Sequence, residues 1–294
     1  MQKSVTEPST EQAANKINGW HGLLNLVYAN RDGSTQIIQN EMQAPLKVQR
    51  PFYPEGKDVC HSVILHTAGG VVGGDRLSSH FHLQPNAKAL ITSAAAAKIY
   101  RSSGLESQQN IDIKLEPGAN LEWLPQETIV FDGAIYQQNL RVELAPTANI
   151  LLWEITRFGR SARGEKFLSG KWRSHTEIWQ QNSPLWIDRQ LLIGGETMLE
   201  SPHGLAGKPV VATLAWVGTP VTPELVEKLR ALPSEATINP GNCTIGITRI
   251  PNGLLCRYRG TSTTAARDWF VSIWDLLRLS FSERPCCFPR VWIK

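Results

Sequence analysis

The chain is predicted to be mainly β, a layered β-helix or solenoid-like stack of strands with two or so helices in its C-terminal third, and three observations predict this. First, the pattern Leu-x-Pro-x-Ala occurs as Leu83-Gln84-Pro85-Asn86-Ala87, Leu115-Glu116-Pro117-Gly118-Ala119 and Leu144-Ala145-Pro146-Thr147-Ala148, with the prolines 32 and then 29 residues apart. Second, strand-like alternation leads into each proline (Phe81 and Leu83; Ile111, Ile113 and Leu115; Leu140, Val142 and Leu144) and resumes after it at matching offsets (Ala89 and Ile91; Leu121 and Trp123; Ile150 and Leu152). Gln-Gln-Asn also sits nine residues before both Pro117 and Pro146. Third, helix start signals are few. Self-similarity at a period of about 30 residues is what stacked supersecondary units leave in a sequence, because one unit cannot bury its apolar face without a neighbour.

The elements follow in order. From Gly19 to Arg50, apolar runs at Leu23–Tyr28 and Thr35–Ile38 flank Asp32-Gly33, a strong hairpin-turn signal. A strand over Asp58–His66 leads into Gly69-Gly70-Val71-Val72-Gly73-Gly74-Asp75, where four glycines call for positive φ or close backbone approach. The repeat region then runs to about Phe158. A basic, glycine-rich connector, Arg157–Glu165, opens a second series of strands that includes Trp172–Trp179 and Leu185–Leu192. Thr222-Pro223-Glu224 starts a short surface helix, with a capping Thr, Pro at the first helical position and an acid in the first turn. A second helix, about Ser262 to Ser280, places Ala266, Trp269, Phe270, Ile273, Trp274 and Leu277 on one broad apolar side that is expected to be core.

Bulk properties narrow the class. With 41% hydrophobic and 19% charged residues the chain is of the soluble globular kind, read as a disordered polar tail at 1–17 followed by a single β-rich domain at 18–294. A net charge of only +4 without a basic run argues against a nucleic-acid footprint. The ten Trp residues mostly neighbour apolar ones, as in Leu121-Glu122-Trp123-Leu124, which favours core packing over base stacking. Met1–Lys16 lacks the apolar region of a secretory signal, and no stretch approaches the roughly 20 apolar residues of a membrane span, so the expected location is cytoplasmic, away from membranes. Five cysteines without a framework spacing suit reduced thiols, Cys286-Cys287 included.

Motifs for chemistry are sparse. No Gly-Lys-Ser/Thr follows the glycine loop and a strand, not a helix, comes after it, which argues against phosphate binding. Ser161 lacks the flanking spacing of a nucleophile elbow. Arg157, Arg160 and Arg163, at spacing three, fit either a solvated turn or a charged contact with a partner. His80-Phe81-His82 puts two imidazoles on one strand face, with His61, His66 and Asp75 upstream, a set open enough for weak metal contact but not a closed site. Glu122, Glu127, Asp132 and Glu154 lie in otherwise apolar strands; they are expected to point outward, the alternative being that they line something wet. No arrangement of nucleophile, base and acid is evident, and the chain reads as a non-enzyme.

The segments His66–Asp75, Thr92–Arg101, Leu121–Glu127 and Phe131–Ala134 closely resemble the urease accessory protein family called UreD or UreH, and Arg157–Phe167, Gly170–Arg173, the helix with Trp274 and Arg278, and Pro289-Arg290-Val291-Trp292 extend the likeness to the carboxyl end. Ala68 departs from the His-Thr-Pro-Gly-Gly form, which frees φ at that turn but removes no chemical group. The resemblance implies a maturation factor that joins UreF and the GTPase UreG, docks on apo-urease and helps to insert nickel and carboxylate into its dinuclear site. It also implies a layered β fold and an internal route for nickel, with no tightly bound cofactor. Passage needs ligands weak enough to release, and the candidates for such transient nickel contact are His66, Asp75, His80, His82, Glu127 and Asp132. Two other readings remain: a β-solenoid enzyme acting on a polysaccharide through Glu127 and Asp132, and a nickel-storage protein using His80 and His82.

Overall fold

Each proline-marked segment is a corner between two sheets. In the computed structural model, which describes residues 19–233, 239 and 241–292, the strands before the prolines are β5 (Arg76–Leu83), β8 (Ser107–Leu115) and β11 (Ile135–Leu144). Those after them are β6 (Lys88–Ser93), β9 (Asn120–Trp123) and β12 (Asn149–Phe158). The first set pairs in parallel in one sheet, A, and the second in parallel in another, B. The repeat offsets are the register: Leu83 faces Leu115, which faces Leu144, and Ala89, Leu121 and Ile150 align likewise. At the corners the amides of Ala87, Ala119 and Ala148 donate to the carbonyls of Gln84, Glu116 and Ala145 at 3.0, 3.0 and 3.1 Å. Asn86, Gly118 and Thr147, each following the proline, take φ of 59°, 73° and 69°, the type II pattern with Pro at its second position. The three alanines are fully buried and stack.

The parallel stack is extended and then closed by antiparallel strands. In sheet A, β1 (His21–Arg31) lies parallel to β5 and β13 (Lys171–Gln180) parallel to β11, with β2 (Ser34–Gln43) and β14 (Ser183–Ile193) as antiparallel edges. In sheet B, β4 (Val59–His66) is parallel to β6, β3 (Leu46–Val48) pairs with β4, and β15 (Val210–Val217), β17 (Gly253–Gly260) and β16 (Cys243–Ile250) continue antiparallel beyond β12. Short β7 (Ala97–Ile99) and β10 (Thr128–Val130) pair beside the end of β12. The Asp32-Gly33 hairpin is present, both residues at positive φ. The expected tail at 1–17 lies outside the described residues.

Two apolar layers result. One fills the space between the sheets with the inward residues of both, such as Phe81, Ile113, Val142, Leu121 and Leu152. The other lies on the outer face of sheet B, where Leu90, Leu151, Trp153 and Trp216 meet the C-terminal helix α3 (Thr263–Ser282). All six residues of the stripe expected to be core, Ala266 to Leu277, are buried there. Ser262 caps α3 by accepting from the Ala265 amide at 3.1 Å, and Thr222 caps α2 (Pro223–Arg230) by accepting from Leu225 at 3.2 Å. One further helix, α1 (Glu196–Glu200), is a single turn that follows Gly195 without a side-chain cap, so the sequence carried no signal for it. Among the described residues no helix is long and apolar enough to cross a membrane.

Candidate functional site

Register decides where polar groups gather. Because the strands of sheet A are aligned, Gln109, Gln138, Ser174 and Gln190 fall on one row across β8, β11, β13 and β14, all on the side facing sheet B. Nearer the corners the same face carries Ile113, Leu140 and Val142, all buried. At the opposite, loop-bearing end a cavity of about 300 Å³ opens whose wall is mostly apolar, with Ile64, Ile111, Trp123 and the alanines of the Ala94–Lys98 segment, and into which His66, Gln109, Gln138 and Glu154 bring polar groups.

Glu154 occupies the middle of this polar end. It alternates with Leu152 on the inner side of β12, and its carboxylate accepts from the Gln138 side-chain amide and from Ser174 Oγ at 3.2 Å. It lines a second, smaller cavity with Gln190 and Thr213 as well as the first. Burial, reinforced by nearby Asp188, pushes its pKa up to about 7 against the pull of those hydrogen bonds and of Arg257. Beyond it, Asp188 of β14 takes a two-pronged contact from Arg257 of β17, both oxygens at 3.0 Å, and accepts from Gln190 at 2.7 Å. Tyr136 donates to Gln109 at 2.8 Å, which orients the next amide in the row.

The residues singled out from the sequence lie in several places. His66 ends β4 at the cavity wall; both its ring nitrogens are buried without a protein partner, and burial lowers its pKa despite the attraction of Asp75. Asp75 is buried and committed to the glycine loop, accepting from the amides of Trp20 and Val72 at 2.8 and 2.9 Å. Gly69 and Gly74 of that loop have positive φ, and a Cβ on Gly70 would lie 2.8 Å from the Lys98 carbonyl, so the glycines serve chain packing. His80 and His82 do share a face, the outer one of sheet A, where His80 sits 3.4 Å from Asp112 and His82 3.1 Å from Glu116. Glu127 is held by Arg267 of α3. Asp132 is held by Arg101 at 2.8 Å and accepts from the Ser169 amide at 2.8 Å. Among the described residues, no three of these six bring ligand atoms together.

Two expectations need correction. Glu122 and Glu154 do not point outward: Glu122 is 7% exposed beneath α3, and Glu154 faces the inter-sheet space. Their partners come from other strands and from a helix far along the chain, Trp274 and Arg278 for Glu122, so strand alternation alone carried no hint of them. The paired Gln-Gln-Asn segments were the available signal for the polar row, since Gln109 and Gln138 occupy inward positions where the alternation otherwise demands apolar side chains. Of the three connector arginines, Arg157 donates to the Thr261 carbonyl at 3.0 Å and Arg160 grips Glu165 at 2.7 Å while lying over Phe131; only Arg163 is left outward. No disulfide joins any of the five cysteines.

The profile of the family described as UreD urease accessory protein matches residues 21–293. The urease accessory protein UreD of Nostoc punctiforme is 66% identical over 274 residues, covering 93% of this chain and 96% of its own length. Its counterparts from Acaryochloris marina and Pseudomonas fluorescens are 56% and 38% identical, over 94% and 93% of this chain and 96% and 95% of theirs.

Proposed function

This chain belongs to the UreD family of urease accessory proteins, and from that premise we propose that it is the scaffold of a UreD–UreF–UreG assembly that docks on apo-urease. There it assists GTP-dependent nickel insertion and relays nickel through its own interior, in the cytoplasm, without performing catalysis and without holding the ion tightly. GTP hydrolysis belongs to the UreG partner.

The observation that supports the relay is the polar row of Gln109, Gln138, Ser174 and Gln190 facing Glu154 inside an otherwise apolar stack. Amide, hydroxyl and carboxylate oxygens, with the unpartnered imidazole of His66 at one end, are donors that a divalent ion enters and leaves readily, unlike a closed thiolate cage. Glu154, poised near neutrality, takes up or gives off a proton as a cation departs or arrives, so no uncompensated charge stays buried.

Removing the chain from a host that makes urease leaves abundant apo-urease and no activity; full activation at ordinary nickel supply without it rejects the role. For the interior route the decisive variant is Glu154→Gln, which keeps the shape. Urease activation falls while UreF and UreG still co-purify with the variant. Unchanged activation by that variant rejects the relay and leaves the scaffold role standing.

A further inference from the structure

On the opposite side of sheet B from the inter-sheet cavity, a second polar cluster lies beneath α3. His61 of β4 shares its register row with Leu90 and Glu122, on the face that α3 and the segment after it cover. His61 is 3% exposed, and its Nε2 lies 2.7 Å from Glu55 Oε1. Its other ring nitrogen, Nδ1, is buried and has no partner among the described residues. One oxygen of Glu122, Oε2, is likewise buried and unpartnered. Arg278 reaches Glu55 at 2.5 Å and Glu122 at 3.1 Å, so one guanidinium serves two carboxylates and leaves a negative charge in excess. Cys287 arrives from the segment that follows α3, and one ligand atom from each of Glu55, His61 and Cys287 lies within 4.8 Å of the others, the only such group among the described residues.

We propose that Glu55, His61 and Cys287 form a binding site for a borderline divalent cation of the Zn²⁺, Ni²⁺ or Co²⁺ class, separate from the interior route. An imidazole, a thiolate and a carboxylate are the donor mixture that such ions prefer and that Mg²⁺ and Ca²⁺ do not. Charge balances on binding. The Cys287 thiol releases its proton to solvent, and three anions (Glu55, Glu122 and the new thiolate) then face Arg278 and one dication, for a net charge of zero. Glu55 and His61 are largely buried whereas Cys287 is half-buried, so the ion enters past the thiol. Bound there, it ties the loop before β4, β4 itself and the C-terminal segment together.

The test is titration of the purified full-length chain with Co²⁺ alone under reducing, anaerobic conditions. The expected result is one equivalent bound with near-ultraviolet thiolate-to-cobalt charge-transfer absorption that Zn²⁺ displaces. Cys287→Ser, a near-isosteric change at a half-buried position, abolishes the band and weakens binding by about tenfold or more, while Cys286→Ser leaves both intact and both variants melt like the parent. No thiolate band, or a band that survives Cys287→Ser or vanishes in Cys286→Ser, overturns the proposal. Because the readout is metal binding by the chain alone, its failure is distinct from any failure of the relay.

Discussion

Glu154 and Glu122 are both carboxylates carried into the interior, but they are held by different means. Glu154 has two hydrogen-bond donors, and its pKa rises from the ordinary 4.5 to about 7. An acid whose folded pKa is raised binds its proton more tightly when folded, so stability from this group is full below about pH 4.5 and is lost as pH climbs toward 7. Glu154→Gln should therefore stabilise the chain at pH 8 by up to about 3 kcal/mol and flatten its stability between pH 5 and 7, as read by urea denaturation at each pH. A steeper pH dependence in the variant contradicts the assignment. Glu122 instead leans on Arg278 and on the indole of Trp274 at 2.8 Å, and burial still raises its pKa. Arg278→Met leaves Glu55 and Glu122 without their shared cation and should cost about 3–5 kcal/mol in the same assay, with partial recovery when Glu122→Gln is added. That these two carboxylates are internal was not legible from their strands, because each partner set is assembled from segments that meet only in the fold.

At the scale of elements, the corner is the repeated unit. Ala87, Ala119 and Ala148 fill it with no exposed surface, so Ala119→Leu should overpack the middle rung and lower stability by about 1–3 kcal/mol, whereas the same change at exposed Ala95 should be nearly silent in a thermal melt. Thr222→Ala removes the side-chain N-cap of α2 and should cost about 1 kcal/mol. The elements that were legible, the Asp32-Gly33 hairpin, the three proline-marked repeats and the cap of α2, are those whose signals lie within a few residues of each other. Glycine, proline and short polar side chains act on the backbone next to them. The glycine loop was legible as a place of positive φ and close approach but not as the partner of Asp75, since that contact needs the loop to be closed first.

At the scale of the molecule, sheet B has two buried faces, and α3 covers the outer one. Deleting residues 262–294 uncovers Leu90, Leu151, Trp153 and Trp216 together and should lower the soluble fraction and raise light scattering relative to the full-length chain. An unchanged soluble fraction shows that another element covers that face. The sequence by itself determined the layered β architecture, the register of its rungs and the apolar stripe of α3, because these follow from periodicities of two, of about thirty and of 3.6 residues, which are properties of neighbouring positions along the chain. Only the tertiary structure decided which polar side chains became internal. A strand's alternation says that two faces differ, but what covers each face depends on elements tens of residues to more than a hundred residues away. Glu122 meets Trp274 and Arg278, and Asp188 meets Arg257, only once both sheets and the last helix are in place.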